Sequence, residues 1–496
     1  MSLPAKNSAS AGAWRLCMSK LSRYSIVLPV IALYLYLAGS APYLGQWDSY
    51  DYLKQIVTHE FSDLGIGRPV FIGYNILLWE TARSIFDLDV LKVETVIMAG
   101  TVLLGFVGVI LFQKLARQFL PSRVSSFATL ALALSPLYAI YAGYIMTEIP
   151  MLVALMAAGL VVVQFGSTRP LSSALAGGIL FGLAAGIREQ ALTMGAAFVW
   201  MIWSRRQPRQ ARIRDLALFG CAASAVTLAP AVVFYLADPN GFTERIRVWL
   251  HAIPMGQVQF WSNVQASLLY AFCVCPGAWL ALAGAAVWGL VKRQQRARPR
   301  SKGGIPNPWW GLVCSIVVPI VVLWRDADVQ IHPRYLLPIL PGSVIMCAYL
   351  YGGWIEKRRG AVTWGVIQVA AFGLALAAFS PLRQIQMEKM EFAERIREAV
   401  PGEGLLIAGG YSPILDYYRG IGLRPGWRIL WSGWDWSAEK AESAIRRSWA
   451  EGIPVYLSQD ARGWSYFESE YLSLQPLLKE SEKEIIVPRL VRISPR

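Results

Sequence analysis

Five short stretches carry side chains able to do chemistry. They are Trp47-Asp48-Ser49-Tyr50-Asp51-Tyr52, Thr147-Glu148-Ile149-Pro150, Arg188-Glu189, Arg325-Asp326-Ala327-Asp328 and His332-Pro333-Arg334-Tyr335. Their carboxylates could take a proton from a hydroxyl, and the arginines with His332 could hold an anionic headgroup through charge-assisted hydrogen bonds. Each position also has a plainer reading. Asp48 could cap a helix beginning near Ser49. Glu148 could be a first-turn acid favoured by the helix dipole, with Pro150 following. Arg188 could serve only as the partner of Glu189, and Arg334 could snorkel to an interface. The cysteines Cys17, Cys221, Cys273, Cys275, Cys314 and Cys347 lie in or near apolar segments, which implies no disulfide framework. No His/Cys/Asp/Glu group has metal-ligand spacing, so no cofactor is expected from the residues, and the use of a divalent metal stays open.

The elements that must position these residues follow from composition. The chain has 496 residues, 55% hydrophobic and only 16% charged, with a mean hydropathy of +0.41. Apolar runs such as Val96–Phe112, Met151–Phe165 and Trp309–Trp324 approach, with their flanks, the ~20 residues that cross a bilayer core. The sequence therefore predicts a membrane all-α protein of about eleven transmembrane helices, near 25–41, 93–111, 125–141, 149–166, 172–187, 189–203, 215–236, 265–291, 309–324, 335–352 and 363–381. The net charge of +15 would suggest nucleic acid in a soluble chain. Here it has another source. One alternating set of loops, starting with the N-terminus, holds twenty-two Lys and Arg, and the other, longer set holds nine. The positive-inside rule then puts the N-terminus in the cytoplasm. Basic runs such as Lys292–Arg300 read as topology anchors near anionic lipid, with no nucleic-acid partner. The first segment, which ends Leu37-Ala38-Gly39-Ser40-Ala41, resembles a signal peptide at its end but reads as an uncleaved helix because of its length and of Tyr34 and Tyr36.

With that topology all five stretches fall on the non-cytoplasmic side. The first outside loop, 42–92, includes an apolar stretch, Val70–Trp79, too short to span and suited to a helix along the interface. The membrane domain is read as 1–383. After it the charge density becomes that of a soluble protein, and 384–496 reads as a small α/β domain outside the cytoplasm. Strands are expected at Gly404–Ala408, Arg428–Trp431, Ile453–Leu457 and Glu484–Ile486, with helices through Tyr418 and over Ser437–Ala450. Gly409-Gly410 reads as an ordinary strand-to-helix turn, lacking the dinucleotide fingerprint.

In order and sidedness the motifs resemble the GT-C glycosyltransferase superfamily, in the branch of protein O-mannosyltransferases and aminoarabinose transferases. The pieces are Asp48, Thr147-Glu148-Ile149-Pro150, Gly182-Leu-Ala-Ala-Gly186-Ile-Arg188 and His332-Pro-Arg334-Tyr-Leu-Leu-Pro338-Ile-Leu-Pro341, and together they cover most of 25–381. Many members carry Asp-Glu in the first loop where this chain has Asp48-Ser49, and Asp51 is the available substitute. The resemblance implies a GT-C-type bundle in a cell membrane, that of a bacterial inner membrane. It also implies inverting transfer of a sugar from a polyprenyl-phosphate donor to an acceptor hydroxyl on a glycan, lipid or protein. Inversion in one displacement needs one carboxylate base, and that role falls to Asp48. Glu148 would position acceptor or sugar. Arg188 and Arg334, with His332, would stabilise the leaving phosphate. Tyr50, Asp51, Lys54 and Arg68 are candidate acceptor or sugar contacts. Asp48 and Arg334 should then lie within roughly 15 Å of each other, because reacting groups must share one bound substrate.

Two other classes fit less well. A polymerase or ligase of lipid-diphosphate glycans would favour a large late outside loop rich in Arg and His, which is lacking before residue 383. A transporter would carry charges midway along its helices and internal symmetry. Here the charges sit at helix ends, and no repeat is visible.

Overall fold

The computed structural model describes residues 30, 33–35, 37, 47–60, 68–243, 246, 261–267, 308–326, 333–409, 411–431, 438–458 and 474–496. Several expectations lie outside the described residues: His332, Asp328, Gly410, most of the first helix and the helix at 265–291 beyond Ser267.

The described chain is mostly helical. Helices α1 (Trp47–Thr58), α2 (Pro69–Phe86), α3 (Val93–Ala116), α4 (Ser122–Ala133), α5 (Pro136–Tyr141), α6 (Glu148–Phe165), α7 (Pro170–Ile187), α8 (Gly195–Trp203) and α9 (Arg209–Ala237) form its first part. Then come α10 (Pro308–Asp326), α11 (Leu340–Leu350), the single turn α12 (Gly352–Ile355) and α13 (Arg358–Ala399). Among the described residues, four stretches are long and apolar enough to cross a membrane: Val90–Ala116, Glu148–Phe165, Pro170–Ile187 and Arg209–Ala237. Shorter apolar helical stretches occupy Gly311–Val322, Arg334–Leu350 and Val362–Leu374.

The structure departs from the expected helices mainly at prolines. The span expected at 125–141 breaks into α4 and α5 at Ser135, whose ψ of 124° is extended. Pro136 clashes with a helical residue before it and cannot donate a hydrogen bond, so the helix must restart there. The span expected at 335–352 likewise begins as a 3-10 turn, Pro333–Ile339, around Pro338. The span expected at 189–203 opens with a second 3-10 turn, Glu189–Met194, after Arg188 leaves the helix with extended backbone. The first outside stretch is more ordered than a loop. It holds α1 and all eighteen residues of α2. α2 buries Phe71, Ile72, Asn75 and Trp79 and exposes Leu77, Ile85 and Phe86 on its other face.

Close packing binds the spans. α7 lies so near α9 that a Cβ on Gly178 would come 2.5 Å from the Phe219 carbonyl, and one on Gly182 would come 2.6 Å from that of Ala223. Small residues four apart are the usual means of bringing two apolar helices into contact where lipid offers no hydrophobic drive. At the end of these helices expected to face the cytoplasm, Arg205 is not a lipid-facing anchor but a buried clamp. It donates to the Ser173 hydroxyl at 3.0 Å, the Val162 and Pro170 carbonyls and Asp215 Oδ2 at 3.2 Å.

α13 runs unbroken for 42 residues, through the composition change at 383. Its far end buries Phe392, Ala393 and Ile396 against the α/β module. That module comprises β1 (Gly404–Ala408), α14 (Ser412–Gly420), β2 (Trp427–Trp431), α15 (Ala438–Ala450), β3 (Val455–Ser458), α16 (Gln475–Lys479), β4 (Ser481–Val487) and β5 (Leu490–Pro495). Its sheet has the order β2-β1-β3-β5-β4, parallel over the first three strands and antiparallel thereafter. β1, covered on both faces, is buried at every position. The sequence reading lacked β5. Its hairpin turns through Pro488-Arg489, with Arg489 at φ 73°, and so lacks the Asn-Gly signal of a tight turn.

Two changes test this packing. Gly182→Leu should destabilise the protein by about 1–3 kcal/mol through overpacking against backbone that cannot withdraw. Arg205→Met should cost about 3–5 kcal/mol, because Asp215 would keep a buried charge without its principal partner. Reversible denaturation in detergent measures both.

Candidate active site

α1 brings Asp48 to the mouth of the helical bundle in its first turn. From across the chain, the 3-10 turn Pro333–Ile339 delivers Arg334, whose Nη2 donates to Asp48 Oδ2 at 3.1 Å. Arg334 also sets its Nε 3.4 Å from Glu148 Oε1, at the N-terminus of α6. The same Glu148 oxygen accepts a hydrogen bond from Arg188 Nη1 at 2.6 Å. Arg188 donates further to Thr147 Oγ1 and to Gln190 Oε1, both at 2.8 Å. The Tyr335 ring supports both cations, with the Arg188 and Arg334 guanidinium carbons 5.2 and 5.7 Å from its centroid. Asp48 and Arg334, expected within roughly 15 Å, are thus in direct contact.

Burial separates the roles of the two acids. The Glu148 side chain has no solvent exposure, whereas that of Asp48 is 18% exposed. Glu148 is enclosed by the Arg188 and Arg334 guanidinium groups and Thr147. Asp48 is the more accessible of the two carboxylates.

Arg68 and Glu189 form a second pair beside this one, through two contacts, one of them Arg68 Nη2 to Glu189 Oε1 at 3.2 Å. The sequence reading coupled Glu189 to its neighbour Arg188, but Arg188 leaves the helix with extended backbone and turns its side chain to Glu148. Burial would raise the pKa of Glu189, yet the charges of Arg68 and Arg188 outweigh it and hold the carboxyl below its usual range. Its stabilising contribution is therefore complete at neutral pH, and it fades as the pH falls from the ordinary carboxylate range down through that lowered value. Burial, with a smaller effect from Asp48, raises the pKa of the nearby Tyr52 phenol.

Two of the expected contacts, Tyr50 and Lys54, face away from this site. At 100° per residue, Tyr50 and Lys54 lie about 200° and 240° around α1 from Asp48. Tyr50 instead donates to Met390 Sδ at 3.2 Å, and Lys54 Nζ lies 2.5 Å from Asp416 Oδ2 in the α/β module. Asp51 is buried and accepts from Gln55 Nε2 at 2.8 Å along its own helix. Thr147, Gln190 and Tyr335 are partners that the sequence reading gave no role. Thr147 and Tyr335 stand next to Glu148 and Arg334 in the motifs, and that adjacency was the available signal. Among the described residues no three potential metal-ligating side chains cluster.

Removing either partner of the inner pair should leave the other charge buried and poorly met, so the two losses should not add. In a double-mutant cycle, Glu148→Ala and Arg188→Ala should show a coupling of about 0.5–3 kcal/mol in unfolding free energy, the double variant being more stable than the sum of the singles.

With this geometry in view, the chain can be compared with known proteins. The family description dolichyl-phosphate-mannose-protein mannosyltransferase matches residues 76–235, a stretch holding Glu148 and Arg188 but neither Asp48 nor Arg334. No curated protein matches the sequence. Among solved structures, ArnT from Cupriavidus metallidurans bound to undecaprenyl phosphate is similar at a TM-score of 0.59 and 14% identity, over 94% of this chain and 97% of that one. The apo form of the same protein gives 0.61 and 13% identity over 98% of each. The Archaeoglobus fulgidus oligosaccharyltransferase tethered to an acceptor peptide gives 0.54 and 12% identity, over 94% of this chain and 73% of that one. These likenesses bear out the resemblance read from the motifs: the chain has the GT-C-type fold.

Proposed function

We propose that this chain is an inverting glycosyltransferase, moving a sugar from a polyprenyl-phosphate donor to an acceptor hydroxyl on the extracytoplasmic side of the membrane. The observation that carries the reading is the contact of Asp48 with Arg334 at the mouth of the bundle, with Arg188 joined to the same group through Glu148. Asp48 takes the proton of the acceptor hydroxyl as its oxygen attacks the anomeric carbon. The bond from that carbon to the phosphate oxygen breaks, and the lipid phosphate leaves with the electron pair. Arg188 and Arg334 receive the charge that develops on it. One carboxylate suffices, because no glycosyl-enzyme intermediate has to be formed.

The shared fold with an ArnT solved with undecaprenyl phosphate supports a polyprenyl-phosphate carrier. The distribution of Lys and Arg supports a cytoplasmic N-terminus, with the site and the α/β module outside, in a bacterial inner membrane. The acceptor is a hydroxyl-bearing glycan, lipid or protein.

Membranes containing the chain, supplied with labelled polyprenyl-phosphate sugars, should transfer label to an endogenous acceptor. Asp48→Asn should lower that transfer by about 10²–10⁴-fold, the usual contribution of a general base. Equal transfer by both forms would remove Asp48 from the reaction, and no transfer by the parent from any donor would overturn the reading as a whole.

A further inference from the structure

Lys54 and Asp416 form an ion pair that the proposed chemistry does not use. Lys54 Nζ lies 2.5 Å from Asp416 Oδ2, and the two side chains are only 6% and 3% exposed. Arg419 Nη2 reaches the other Asp416 oxygen at 2.6 Å. Around the pair, α14 and α1 are in close contact. The Tyr50 and Tyr417 rings lie 5.8 Å apart. A Cβ on Gly420 would be 3.2 Å from both Lys54 Cγ and Thr58 Cγ2. α14 is itself braced from behind, since Tyr418 donates to Glu394 of α13 at 2.5 Å, and Arg397 holds the second oxygen of that carboxylate.

Resting on the function proposed above, we infer that Asp416 is a positioning residue: through Lys54 it sets the placement of α1, and so holds Asp48 against Arg334. α1 is a helix of twelve residues with two working faces. One face carries Asp48, and the opposite face carries Tyr50 and Lys54. Lys54 is six residues from Asp48, about 9 Å along the same rigid helix. A shift of the Lys54 end is therefore transmitted to the carboxylate. For stability alone, a buried ion pair is a poor choice beside well-packed apolar residues. What it adds is direction: a short charge-assisted contact is satisfied in one placement of α1 and lost in others. Misplacing a reacting group by about 1 Å can cost 10²-fold in rate, so a base on so short a helix needs such a fixed point.

The test uses the full chain in membranes, with labelled polyprenyl-phosphate sugars. Asp416→Asn should lower kcat at least about tenfold and leave KM for the donor within about twofold, because Arg188 and Arg334 are untouched; Asp416→Glu should recover part of the loss. A disulfide between Thr58→Cys and Gly420→Cys, whose side chains would meet at bridging distance, should restore kcat in the Asp416→Asn background when oxidised and lose it when reduced. A readout independent of turnover is thiol labelling of Asp48→Cys, whose rate should change at least about threefold when Asp416→Asn is added. An unchanged kcat with an unchanged labelling rate would overturn the inference. So would a raised donor KM at constant kcat. If the parent chain transfers nothing, the glycosyltransferase reading falls, and the labelling comparison alone then decides whether Asp416 positions residue 48.

Discussion

A carboxylate without solvent contact is stable only if its charge is met on all sides, and the architecture of the site follows from that requirement at Glu148. Two guanidinium groups meet it, from Arg188 at the end of α7 and from Arg334 in the turn before α11. Those cations in turn need the Tyr335 ring, Thr147, Gln190 and Asp48. The inner group holds two acidic and two basic side chains, so its charges balance within the protein. Charges fixed in this way by one another are the kind that stabilise a transition state without reorganising. The prolines serve the same end. At Arg334 they do so by turning the chain through Pro333–Ile339, so that this polar side chain issues from a turn and not from the middle of an apolar span.

Much of this was legible in the sequence, for a physical reason. Ionisable side chains at the ends of long apolar runs are costly, few and easily located, and the Lys and Arg distribution assigns them a side. Asp48 and Arg334, 286 positions apart, were placed together on that basis and on the roles that the family resemblance implies. The roles were harder to read. Sidedness cannot distinguish a partly exposed carboxylate such as Asp48 from a wholly enclosed one such as Glu148. Helical phase was the neglected signal for Tyr50 and Lys54. Both lie close to Asp48 in the chain yet point away from it, as a plot of α1 at 100° per residue would have shown.

The rest was hidden because the partners lie in different kinds of structure. Asp416 sits in a soluble α/β module, and nothing local in its sequence names Lys54 as its counterpart. β5 escaped notice because Pro488-Arg489 is an uncommon hairpin turn, and Arg205 because a buried clamp and a topology anchor are the same residue type in the same loop.

α13 gives these relations a mechanical side. At 1.5 Å per residue its 42 residues make a rod roughly 60 Å long. Its apolar stretch Val362–Leu374 lies near one end, and the other end is packed into the α/β module. Between these two ends stands Pro381, which has no N–H to give to the helix ladder. The apolar stretch is therefore joined to the module through a turn that lacks one backbone hydrogen bond.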